Sequence, residues 1–213
     1  MSDIFYTLIG CEAYKNTRQK ALKESWLKDV SNHYIFASDE DTEDSVKLSN
    51  RKDYYSCEEK QLRSIKFLAD NRSNYKWYFF GDDDTYVNTK NLQKLLSSFS
   101  GDSIGFVLSL LTDPFNTAFS RFGIKAYYSG GAGFCLSQRL LLQLKDRPFP
   151  PSIHYADISM ARLFGNTRFT HCTAFNPTTP AKLGHADGKT LEMVTYHYVD
   201  EAEMKRLYAI NSK

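Results

Sequence analysis

The chain has 213 residues, 42% of them hydrophobic and 15% aromatic, with a formal net charge of +2. That length suits one domain with a real core, and that apolar content excludes a disordered chain. The small net charge and the scatter of Lys and Arg exclude the broad basic face that nucleic acids or anionic membranes require.

Four cysteines, Cys11, Cys57, Cys135 and Cys172, stand far apart with no CxxC pair. Their spacing supports neither a zinc site nor a redox motif; two disulfides are compatible with it, and the lack of a secretion signal favours free buried thiols. Met1-Ser2-Asp3 runs straight into Ile4 to Ile9, an apolar stretch too short for a signal peptide or a membrane anchor. The expectation is therefore a soluble, cytoplasmic protein without a membrane segment.

Taken in order, Ile4 to Ile9 reads as a buried strand. Asn16 to Val30 reads as a helix, with Leu22, Trp26 and Val30 four apart on one face. Tyr34 to Ala37 is a second strand, ending at Ser38-Asp39-Glu40-Asp41. Glu58 to Ala69 is helical, and Tyr78-Phe79-Phe80 is a third strand. Asn88 caps a helix carrying Leu92, Leu95, Leu96 and Phe99. This alternation predicts a parallel sheet covered on both faces.

Beyond residue 100 the pattern loosens. Ile104 to Leu111 and Ala126 to Tyr128 read as strands, and Ser137 to Leu144 and Ala156 to Phe164 as helices. Arg147 to Pro151 is a short rigid connector. Asn176 to Lys189, with its prolines and glycines, reads as a loop capable of movement.

The most informative stretch is Tyr78-Phe79-Phe80-Gly81-Asp82-Asp83-Asp84-Thr85-Tyr86-Val87. A buried strand delivers three adjacent carboxylates to its carboxyl end, where open α/β sheets bind ligands. Three like charges beside a core repel one another unless something neutralises them. A hard divalent cation does so while leaving positions open for phosphate oxygens. A solvated acidic turn is the plain alternative.

Thr7, Gly10 and Asp39 sit at or near the carboxyl ends of the first two strands, the expected cradle of a nucleotide. Ser129-Gly130-Gly131-Ala132-Gly133-Phe134 lets backbone approach a ligand closely, or is simply a tight turn before a helix. His197, in Tyr196-His197-Tyr198, is either a ligand or a satisfied core or surface histidine. Asp157 sits where a helix begins and is either chemical or an N-cap.

In this order, DDDTYV, GGAGF-x-LS, an acid at a helix start and a late aromatic-His pair resemble the Fringe and core-1 β1,3-galactosyltransferase group. Arg18, Ser25-Trp26-Leu27 and Phe36-Ala37-Ser38-Asp39-Glu40-Asp41 are similar to that group's amino-terminal pattern. The resemblance implies a single GT-A domain, Rossmann-like, with a mixed, mostly parallel central sheet flanked by helices. Residues 1 to about 100 would bind a nucleotide sugar, and the rest a glycan or glycoprotein acceptor.

It implies a UDP-sugar donor and Mn²⁺ or Mg²⁺, with Asp84 and His197 as ligands and imidazole ligation favouring Mn²⁺. Asp82 would hold the ribose or a metal-bound water, and Asp83 would orient the sugar or brace the turn. Lys60 and Arg18 would add charge at the diphosphate. Gly130, Gly131 and Gly133 would line the space between donor and acceptor. Asp157 would be the base of an inverting transfer.

Two departures stand out. The group's anchored, disulfide-stapled architecture is not evident here, and Asp157 stands alone where two acids are common. The rival readings are a DxD-type phosphatase and a non-catalytic sugar- or nucleotide-binding domain. Further domains of a longer protein are compatible with either.

Overall fold

The structure, a computed structural model, describes residues 3–30, 33–109 and 124–212. Its centre is a six-stranded sheet built from β1 (Ile4–Ile9), β2 (Tyr34–Ser38), β3 (Ser45–Lys47), β4 (Trp77–Asp82), β6 (Ser103–Gly105) and β9 (Phe134–Ser137). The strand order is β3-β2-β1-β4-β9-β6. The first four run parallel, and β9 is antiparallel to both β4 and β6.

Strand periodicity divides the core. Ile4, Tyr6 and Leu8 of β1 and Trp77 and Phe79 of β4 face one cluster, with Trp26, Leu92 and Leu207. Phe5 of β1 and Tyr78 and Phe80 of β4 face the other, with Leu62, Ile65, Leu141 and Phe164. Successive strand residues point to opposite faces, so an apolar run buried throughout must be covered on both. Helices α2 (Ser56–Asn71), α4 (Gln138–Leu144) and α5 (Ala156–Phe164) cover the second face. On the first lie α1 (Lys20–Lys23), α3 (Thr89–Ser98) and α7 (Glu201–Asn211).

Several expectations need correction. The helix expected over 16–30 is broken into a π turn at Lys15–Gln19, the short α1 and a 3₁₀ turn at Trp26–Asp29. Ser25 is the break. Its hydroxyl donates back to the carbonyls of Ala21 and Leu22, a local bond that competes with helix continuation. Trp26 then donates its indole N–H to the Thr85 carbonyl, so the apolar face stays buried although the helix does not persist.

The glycine-rich segment does not open a helix directly. β9 intervenes, and Ser137 caps α4 only after it. A short apolar run such as Phe134-Cys135-Leu136 fits a strand or a buried helical turn equally by pattern. The strand expected over 104–111 divides into β6 and β7 (Val107–Ser109), which pairs with β8 (Ala126–Tyr128). Residues 110 and 111 lie outside the described residues.

The stretch expected as a bare loop over 176–189 carries the end of β10 (Phe175–Asn176), a 3₁₀ turn at Ala181–Leu183 and the start of α6 (Asp187–Thr190). His185 is hydrogen-bonded to the Tyr196 hydroxyl. The four cysteines are free.

A small second sheet sets the site. β5 (Tyr86–Val87) pairs antiparallel with β11 (Thr195–Tyr196), which pairs parallel with β10. Below it, Val199 donates its N–H to the Asp84 carbonyl. This register carries His197 to the acids at the end of β4.

Candidate active site

The acidic turn continues the β1–β4 pairing, with the Asp83 N–H donating to the Ile9 carbonyl. Thr85 ties it to the glycine turn: its hydroxyl accepts from the Asp82 N–H and donates to the Gly131 carbonyl. Two turns from distant sequence thus form one floor.

On that floor Asp82, Asp84 and His197 each offer a ligand atom, all within 4.8 Å of one another. His197 Nε2 lies 3.2 Å from Asp84 Oδ1 and 3.6 Å from Asp82 Oδ2. Asp84 Oδ1 is buried yet makes no well-aligned hydrogen bond among the described residues. A buried carboxylate oxygen left in that state is costly unless a cation takes it up. Two carboxylates and an imidazole suit a divalent cation.

Electrostatics agree with a site built for positive charge. Burial pushes the Asp82 carboxyl up to about 7, His197 opposing and Asp84 and Asp157 adding to the rise. Although 37% of its side-chain surface stays open, the carboxyl lies in a cleft walled by protein. Burial likewise pushes Asp83 up to about 6 against the pull of Arg18. Burial acts to lower His197, but the surrounding carboxylates prevail and raise it.

Arg18 bridges Asp83 and Asp84 at 3.2 Å each, its guanidinium 4.4 Å from the Tyr14 ring centroid. Lys60 is turned inward: its buried ammonium donates to the Gly10 carbonyl at 2.8 Å and lies 3.6 Å from Asp39. Burial works to raise Asp39, but the Glu12 N–H and Lys60 hold its carboxyl below the usual range.

The cleft has two halves that meet at Ile9, Tyr54, Cys57, Asp82, His197 and Tyr198. One, of about 330 Å³, takes in Gly10, Tyr14, Arg18, Lys60, Asp83 and Asp84. The other, of about 300 Å³, takes in Tyr127, Gly131, Tyr155 and Asp157. Thr7, Asp39, Gly130 and Gly133 lie behind this lining rather than in it. Thr7 is wholly buried, its hydroxyl unbonded among the described residues.

The glycines have a specific geometric reason. A Cβ on Gly131 would sit 2.0 Å from the His197 ring, and one on Gly130 would sit 2.5 Å from Asp157 Oδ1. Gly133 adopts φ +80, where side chains are strained. The turn is therefore a mould for His197 and Asp157. The Gly130 N–H donates to Asp157 Oδ1 at 3.1 Å. Burial pushes the Asp157 carboxyl up to about 6, with that N–H and His197 pulling the other way.

Sequence reasoning did not single out Tyr54, Tyr155 or Tyr198, which rim the cleft at 80%, 54% and 60% exposure. Among 14 tyrosines they carry no local mark. Tyr198 is the exception, since it adjoins His197 and stacks on it at 3.7 Å.

A mostly parallel sheet with acids and a histidine converging at its carboxyl edge defines the GT-A class of fold. A solved structure described as a glycosyltransferase involved in the glycosylation of the major capsid of PBCV-1 shares that fold. Its TM-score is 0.55 at 15% identity, over 96% of this chain and 99% of that one. The family model described as Fringe-like matches residues 1–172.

The chain belongs to the Fringe-like family. It is 29% identical over 157 residues to zebrafish (Danio rerio) lunatic fringe, a β-1,3-N-acetylglucosaminyltransferase, covering 67% of this chain and 42% of that protein. It is 29% identical to Gallus gallus radical fringe (68% and 43%) and 28% to the Drosophila melanogaster Fringe glycosyltransferase (68% and 39%). The chain thus spans about two fifths of the length of the curated relatives it matches. Among the described residues no helix is long and apolar enough to cross a membrane.

Proposed function

We propose that this chain is a metal-dependent glycosyltransferase that moves a hexosyl or deoxyhexosyl unit from a UDP-sugar to a glycan hydroxyl. The carrying observation is the division of one cleft by the Asp82–Asp84–His197 cluster, with Arg18 on one side and Asp157 on the other. Membership of a family whose relatives are named as glycosyltransferases supports it.

In this reading Asp84 and His197, with Asp82 beside them, hold Mn²⁺ or Mg²⁺. Bound there, the ion would supply Lewis-acid neutralisation of the leaving diphosphate. Arg18, held by Asp83 and Asp84, adds positive charge in the same half. Gly10 and the Lys60–Asp39 knot form the wall toward the nucleoside.

Asp157 takes the proton from the acceptor hydroxyl as its oxygen bonds to the anomeric carbon. The pair of the breaking C–O bond leaves with UDP. A raised carboxyl suits a general base, because basicity rises with pKa. Attack from the side opposite the leaving group inverts the anomeric centre.

The test is calorimetric titration of UDP into the protein with Mn²⁺ and then with EDTA. Tight binding that EDTA abolishes is expected, and Asp84→Ala should remove it. A folded protein that binds no UDP with either metal would overturn the reading. Binding to Asp84→Ala equal to that of the parent would strip Asp84 of its role.

A further inference from the structure

Glu58 opens α2 and is 4% exposed, an unusual place for a carboxylate. It does not line either half of the cleft. Each of its oxygens takes two donors, and all four come from one short segment. Oε2 accepts from the Ser152 hydroxyl at 2.5 Å and from the His154 N–H at 3.0 Å. Oε1 accepts from the Ile153 N–H at 3.1 Å and from the Ser159 hydroxyl.

That segment is the entry to α5, and Asp157 lies in its first turn. His154 has φ +63, a left-handed conformation that few residues other than glycine adopt, and its contacts hold it there. Its N–H bond to Glu58 is one of these restraints. Four donors keep the Glu58 carboxylate below its ordinary range in spite of burial, so the anion is a fixed mould at neutral pH.

We propose that Glu58 is the positioning residue of the reaction: by clamping residues 152–159 it sets the start of α5 and so aims Asp157 across the cleft. The proposal rests on Asp157 being the base. By contrast, Asp157 itself accepts one hydrogen bond among the described residues, from the Gly130 N–H, so its aim depends on the backbone that carries it. A misplacement of about 1 Å can cost up to about 10²-fold in rate. Glu58→Gln presents an amide N–H₂ to donors on one side and breaks the clamp.

The test compares the parent protein, Glu58→Gln and the milder Ser159→Ala, which removes one donor and keeps the anion. Turnover is followed as UDP released from UDP-glucose, UDP-galactose or UDP-N-acetylglucosamine, whichever the parent uses. The Gly130 amide resonance reports Asp157 directly, since Glu58 does not touch it. The expected result is a 10- to 100-fold lower kcat for Glu58→Gln and a few-fold for Ser159→Ala, with donor KM and UDP affinity within twofold. The Gly130 amide should shift and exchange faster in both.

An unmoved Gly130 amide overturns the proposal, even if the amides of 153 and 154 lose protection, because Glu58 would then be local scaffolding. So does UDP affinity falling in step with kcat. If the parent turns over no donor, the function proposed above fails separately, and the Gly130 amide alone decides what Glu58 does to Asp157.

Discussion

The two walls of the cleft are built differently. The wall proposed above for the donor grows from the ends of β1, β2 and β4, the central parallel strands, and its charges are spent on one another. Lys60 binds Gly10 and Asp39, and Arg18 binds Asp83 and Asp84. The opposite wall comes from the glycine turn, the α5 entry and the residues around β11. It carries exposed tyrosines and, beyond the shared Asp82, the acid Asp157, which accepts one hydrogen bond among the described residues. A rigid, internally paired wall suits a fixed nucleotide diphosphate. A wall of rings with one basic oxygen suits a ligand that presents a hydroxyl.

Asp157→Asn is expected to sharpen this contrast most. It should leave UDP affinity intact and lower sugar transfer by about 10²- to 10⁴-fold, the usual share of a general base. Full activity in the variant would remove the functional distinction between the walls.

The donor-side knot is probed by Lys60→Met, which leaves the Asp39 carboxylate without its buried cation. Stranding one partner of a buried pair costs about 3–5 kcal/mol. Urea unfolding should show a loss of that order, and a change under about 1 kcal/mol would mean that the knot does not organise this wall.

What the sequence revealed tracks the same division. β1, β2 and β4 are long apolar runs that stop at polar turn residues, so both the strands and the acids at their ends were legible. Asp84 and His197 were legible as motif members. Their meeting came from the family resemblance alone, because it depends on β5 and β11, two-residue strands that leave no periodic trace. Ser25 reads as an ordinary helix residue until its hydroxyl is seen bonding to Ala21. Glu58 carries no mark beyond opening a helical stretch, and Lys60 is marked only by the family resemblance. Only packing shows that both are buried, one gripping each wall.

A smaller effect is expected at the seam between the walls. Gly131→Ala would place a methyl 2.0 Å from the His197 ring, in a turn whose carbonyl is held by Thr85. The imidazole has to give way, and metal-dependent UDP affinity should fall by about 10- to 100-fold, as when a metal ligand loses its support. Gly130→Ala would meet Asp157 instead, and should depress transfer more than UDP binding. Identical phenotypes for the two would deny that the turn serves the walls separately.

The smallest effect lies in stability against pH. Without metal, Asp82 is raised to about 7 and Asp83 and Asp157 to about 6, against 3.8 for a free carboxyl, and His197 is raised too. These four groups together therefore hold more protons in the folded protein than in the unfolded chain between about pH 4 and 7. Stability then falls as pH rises through that window, since its slope follows the protons bound unfolded minus those bound folded.

Glu58 works oppositely, because its carboxyl is lowered: its contribution is complete above 4.5 and fades as pH falls through its lowered value. On the proposed reading Mn²⁺ competes with protons for the same oxygens and nitrogen, so the Tm it adds should grow from pH 5 to 7.5. A Tm in EDTA that rises over this range, or a metal increment independent of pH, would show that the clustered acids do not govern the floor the two walls share.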